Sequence, residues 1–149
     1  MKDVVSRCPI EEAMRLLSGR WPTLLLYYLK DGTKRFSDLR RDNPTLSHRM
    51  LSLELRKLEL ARAMAARPLL LIADEAMAGL SSVEVDEILA ILVRLNDEGI
   101  TIIMIEHIMR AVMRFSSRIV VLDAGQTIAD GTPEDILRHS AVEKAYLGT

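Results

Sequence analysis

With 149 residues, 49% of them hydrophobic and 28% charged, the chain has a globular composition and room for one ordinary domain or two very small ones. Apolar stretches fall short of the about 18 residues that span a bilayer, and Met-Lys-Asp leads into no signal-like apolar segment, so neither membrane insertion nor export is expected. The net charge is −1, and one cysteine, Cys8, allows no internal disulfide, which fits a cytoplasmic protein.

The first part reads as helices. Pro9 to Leu17 places Ile10, Ala13, Leu16 and Leu17 on one face, and Ser18-Gly19 ends it. Trp21 to Lys30 carries Leu24, Leu25, Tyr28 and Leu29, with Pro22 in the first turn. Asp31-Gly32 is a turn signal, Phe36 to Arg41 forms one or two helical turns, and Asn43-Pro44 breaks the chain. Ser47 is the expected N-cap of a helix through Glu59, with Met50, Leu51, Leu55 and Leu58 facing inward.

After Glu59 the pattern alternates between helix and strand. Leu60 to Ala66 continues or restarts a helix. Leu69 to Ala73 is an apolar run between Pro68 and Asp74 and is expected as a buried parallel strand. Val83 to Leu95 is an amphipathic helix ended by Gly99, and Ile100 to Ile105 is a second buried strand. Ile108 to Phe115 is helical. Arg118 to Leu122 and Thr127 to Ala129 are strands around the turn Asp123-Ala124-Gly125. Thr132-Pro133-Glu134 opens a last helix with a Thr cap.

Charge is uneven along the chain. Met1 to Glu59 holds 12 Lys and Arg against 8 Asp and Glu, and the remainder holds 8 against 13. The first part could meet a polyanion and the second should not. Short helices with a turn between the last two match helix-turn-helix geometry, in which the last helix enters the major groove. Ser47, His48, Arg49 and Ser52 would reach bases, with Arg49 able to donate twice to guanine. Lys34, Arg35, Arg40 and Arg41 are placed to meet phosphates.

Specific residues sharpen this pattern. The stretch from Cys8 to Glu59 contains Cys-Pro-Ile-Glu, Gly-Arg-Trp, Tyr-Tyr-Leu-Lys-Asp-Gly-Thr-Lys-Arg-Phe-Ser-Asp-Leu-Arg-Arg, Leu-Ser-His-Arg-Met-Leu-Ser and Leu-Arg-Lys-Leu-Glu. It resembles bacterial HxlR-type winged-helix transcription regulators. The resemblance implies a homodimer on operator DNA, with Ser47 to Glu59 as recognition helix. It also places Cys8 where some members carry a redox-sensing thiol. Such a thiol needs a lowered pKa, and only Arg7 is at hand, so a structural cysteine is the plainer reading. The two-stranded wing and the dimerising helix of that family do not follow Glu59.

Leu69 to Glu75, Leu-Leu-Leu-Ile-Ala-Asp-Glu, is an apolar run ending in two acids. Such a pair can hold Mg²⁺ through the first carboxylate and polarise water with the second. Ile102 to His107 ends a second strand in a histidine able to touch a terminal phosphate. With Leu-Ala-Arg-Ala-Met-Ala-Ala-Arg-Pro before them, and Gly-Thr-Pro-Glu-Asp and Ala-Tyr-Leu-Gly after, residues from Leu60 onward resemble the C-terminal part of ABC transporter ATPases. The type is that of branched-chain amino-acid importers. The resemblance implies Asp74 as Walker B aspartate and Mg²⁺ ligand, Glu75 as catalytic glutamate, His107 as switch histidine and Met77 to Leu80 as D-loop. No Gly-x-x-x-x-Gly-Lys-Ser/Thr occurs in the sequence, and the signature Leu-Ser-Gly-Gly does not precede Leu60. Ala76 replaces a proline, and Ser81 stands where Asp or Asn is usual.

The expected fold class is mixed. Residues 1–59 form a helical, winged-helix-like segment without its wing, joined through a shared helix at Leu55 to Ala66 to a partial α/β P-loop-type half, residues 60–149. Three functions are compatible with this: a DNA-binding protein carrying an inert cassette fragment, an ATP-binding transporter component, or a non-functional fusion. ATP and Mg²⁺ are expected as cofactors only if another chain supplies the phosphate loop. The expected partners are duplex DNA, a second copy of the chain and ABC transporter subunits.

Overall fold

The computed structural model of the chain describes residues 9–147, with side chains described for residues 13–145. Four helices come first: α1 (Pro9–Leu16), α2 (Arg20–Leu29), α3 (Phe36–Asp42) and α4 (His48–Ala65). They are followed by β1 (Leu70–Asp74), α5 (Ser82–Asp97), β2 (Thr101–Ile105), α6 (Met109–Phe115), β3 (Ile119–Asp123) and β4 (Gln126–Gly131). The chain closes with α7 (Pro133–Leu137), α8 (Ser140–Val142) and a π-helical turn over Glu143–Leu147. No sequence pattern predicted these last two elements. Among the described residues no helix is long and apolar enough to cross a membrane.

Local chemistry sets the helix ends. Asn43 Nδ2 donates to the Leu39 carbonyl at 2.9 Å and closes α3. Ser47 Oγ accepts from the Met50 amide at 3.1 Å and opens α4 as its N-cap. Without Gly or Pro to interrupt it, α4 runs unbroken for 18 residues, so that of the two alternatives at Leu60 to Ala66 the helix continues and does not restart.

Two sets of apolar residues leave α4 in different directions. Leu51, supported by Leu55 and Leu58, packs with Leu25, Leu39 and Leu46 into a small core under the first helices. Leu53, Leu60, Ala61 and Met64 instead join Ala13 and Leu16 of α1 with Leu71, Met77, Ile88, Leu92 and Leu95 in the larger core. Met50, expected to face inward, is 37% exposed. Leu53, which the expectation of a single inward face overlooked, is buried instead, in the larger core.

β1 and β2 pair in parallel, with Leu70 opposite Thr101, Ile72 opposite Ile103 and Asp74 opposite Ile105. The α5 crossover covers one face, on which Leu71 and Ala73 are buried. On the other face Leu70, Ile72, Ile103 and Ile105 are 47%, 58%, 48% and 52% exposed. The expectation of two fully buried strands is therefore corrected. Parallel sheets normally carry a layer on both faces, and the described residues supply only one. The second sheet, β3 with β4, is an antiparallel hairpin. Ala124 and Gly125 both have positive φ, 47° and 79°, as a two-residue turn matched to strand twist requires. The hairpin closes a third small core of Val112, Ile119, Val121, Ala129, Ile136 and Val142.

Candidate functional site

The first cluster lies between α3 and the start of α4. An open hollow of about 800 Å³ is lined by Ser37, Arg40 and Arg41 from α3 and by Ser47 and His48 at the head of α4. The His48 ring rests on Phe36, with centroids 4.7 Å apart. The first-turn amides of a helix favour anions, and two guanidinium groups share the hollow with them. Arg41 is steadied by Asp38 at 2.9 Å. Arg40 has no ion pair among the described residues. The arrangement can hold phosphate-like groups.

The other expected contacts are differently placed. Lys34 is engaged by Asp42, a bond that holds the Asp42 carboxyl below its usual range. Arg35 is exposed, and its backbone amide donates to Asp38 Oδ2 at 3.3 Å. The Ser52 hydroxyl turns back to the His48 carbonyl at 3.0 Å. Arg49 is exposed but does not line the hollow. It lies near Glu84, whose carboxyl is lowered first by bonds from Ser81 and, less strongly, by Arg49. Cys8 lies outside the described residues.

The second cluster gathers at the C-terminal ends of β1 and β2, where open α/β sheets place ligands. Asp74 ends β1 on the bare face. Glu75 follows in a left-handed conformation, φ 44°, with its amide donating to the Ile105 carbonyl at 2.9 Å. Its carbonyl accepts from Arg56 Nη2 of α4 at 3.3 Å. His107 follows β2 and is exposed, with Nδ1 3.8 Å from Glu106 Oε2. The three expected cassette residues thus share one end of the sheet. No group of three or more His, Cys, Asp or Glu among the described residues is placed to hold a metal.

Sequence reasoning missed Glu106. Its side chain is fully enclosed, and its carboxylate accepts from the Met77 amide at 2.8 Å and the His107 amide at 3.3 Å. It fastens the loop after β1 to the end of β2. The available signal was an acid placed directly after five strand residues, four of them apolar. Arg56 was missed as well, because an exposed-looking helix arginine gives no hint of a distant carbonyl.

Comparison with known proteins separates along the chain. The family model for the HxlR-like helix-turn-helix matches residues 16–74. That for the branched-chain amino acid ATP-binding cassette transporter matches residues 126–149. The chain is 47% identical over 94 residues to the high-affinity branched-chain amino acid transport ATP-binding protein BraF of Pseudomonas aeruginosa, covering 62% of this chain and 37% of that protein. It is 44% identical over 94 residues to LivG of Escherichia coli K12, with the same coverage. The chain thus spans little more than a third of the length of these relatives. A contiguous 62% of the chain cannot avoid residues 16–74, so the two likenesses overlap. An ATP-binding cassette of an ABC transporter, solved in its ADP conformation, aligns with 95% of this chain and 63% of its own at a TM-score of 0.62 and 24% identity. A dimeric cassette bound to ADP and Pi aligns with 61% of this chain and 38% of its own, at a TM-score of 0.51 and 25% identity. Residues 16–74 thus resemble the HxlR-like helix-turn-helix, 62% of the chain resembles branched-chain amino acid transport ATP-binding proteins, and the fold is cassette-like.

Proposed function

We propose that the chain is a DNA-binding helix-turn-helix protein whose α/β half is an incomplete cassette, unable to hydrolyse ATP alone. The observation that carries this reading is the hollow where Arg40, Arg41, Ser47 and His48 converge at the N-terminus of α4. Phosphates of a duplex suit that hollow, and the exposed head of α4 suits the groove beside it. We assign residues 1–59 and 60–149 to the two ancestries, with the end of α4 common to both. The division is one of origin, since α4 packs into both cores. Without a wing, affinity is expected near the non-specific range of about 10⁻⁴–10⁻⁶ M. Fluorescence anisotropy on several duplexes over a salt series tests this. Arg40→Ala should weaken binding to every sequence and flatten the salt slope by about one. Absence of binding at low salt, with the helices folded by circular dichroism, would remove the reading.

A second reading is favoured by the fold alone. The cassette likeness covers 95% of the chain and so takes in the helical half too. In this reading the chain is a cassette component that lends Asp74, Glu75 and His107 to a phosphate loop on another chain. ATP and Mg²⁺ would then bind only in the joint complex. In either reading the purified chain is expected to show no Mg²⁺-dependent ATP turnover, because the element that positions the phosphates is absent from these residues. Turnover abolished by Glu75→Gln would show that expectation to be wrong.

A further inference from the structure

The first turns of α5 lie beside the DNA-reading helix and are acidic. Lys57 of α4 is held between Glu54 at 3.4 Å and Glu87 of α5 at 3.2 Å. Arg56 is bound to Glu59 at 3.0 Å and to the Glu75 carbonyl at 3.3 Å. The cation of Lys57 is thus engaged by a carboxylate of α5.

We propose that α5 is an intramolecular mask: its acidic first turns compete with duplex DNA for Lys57, and hold down the affinity of the helix-turn-helix. The proposal rests on the DNA-binding reading given above. A polyanion approaching Lys57 meets Glu87 at close range, and like charges at an interface oppose binding. The contacts are partly exposed, so they can open without unfolding the cores, and each opened cation becomes available to a phosphate.

The test uses the full chain and a short duplex of mixed sequence at low salt. Glu87→Gln removes a mask carboxylate whose side chain is about half exposed, without touching the Ser81–Glu84 cap of α5. Glu134→Gln makes the same change of net charge on α7, away from α4. Glu87→Gln should tighten binding by about three- to tenfold, while Glu134→Gln changes it by less than about twofold. Equal effects from the two variants would overturn the mask and leave DNA binding intact. If neither variant nor the parent binds while all remain folded by circular dichroism, it is the DNA-binding reading that fails, and the mask with it.

Discussion

Leu92→Ala is expected to lower stability by about 2–5 kcal/mol, and the loss should be seen from the far side of the molecule. Leu92 is completely buried in the larger core, in the α/β half. Trp21, the single tryptophan, packs against the small core under the first helices. The two cores are joined by α4, which contributes Leu51 to one and Leu53 and Leu60 to the other. A continuous helix cannot remain ordered on one flank after losing the other. Urea unfolding followed by Trp21 fluorescence and by helical circular dichroism should therefore move to the same lower midpoint. A Trp21 transition that stays in place while the helical signal shifts would mean that the two cores melt independently.

Self-association is the second large effect expected. Leu70, Ile72, Ile103 and Ile105 form a continuous apolar face on a two-stranded sheet, and each strand also has a free edge. Neither Lys nor Pro interrupts β1 or β2, so the devices that usually blunt such surfaces are missing. Light scattering at high micromolar concentration should report more than a monomer mass. Ile103→Lys, at the centre of the face, should weaken association by about tenfold or more. Since Ile103 is half-exposed, the fold should tolerate the lysine. A parent chain that is strictly monomeric at that concentration would refute the idea.

Much of this molecule was legible in its residues because its local signals agree with each other. Ser47, Gly99, Ala124-Gly125 and Thr132-Pro133 mark real ends and turns, and the strand and helix periods between them are clear. The parallel β1–β2 pair with its helical crossover followed directly from that alternation. What periodicity could not supply was partnership. Met50 and Leu53 are equally apolar, and only the presence of a second core beside α4 decides that Leu53 is buried. Strands of five residues read as buried on both faces because their sequence is apolar on both faces, and the sequence does not record whether a covering layer is present. The functional clusters divide the same way. Motif spacing located Arg40, Arg41, Ser47 and His48, whose meeting needs only one turn between two helices. Glu106 and Arg56 act on backbone groups 29 and 19 residues away, a relation that no local spacing encodes.

The double allegiance of α4 has a consequence for dissection of the chain. A cut at the Glu59–Leu60 bond, where the helical pattern of the sequence gives way to alternation, would pass through a rod that serves as common wall to two rooms. The upstream piece would keep Leu53 with only Ala13 and Leu16 of α1 to cover it, and the downstream piece would begin on Leu60, Ala61 and Met64 without the turns that hold them in a helix. Either piece would lose part of the core that α4 shares, so the intact chain, and not either half, is the unit to prepare.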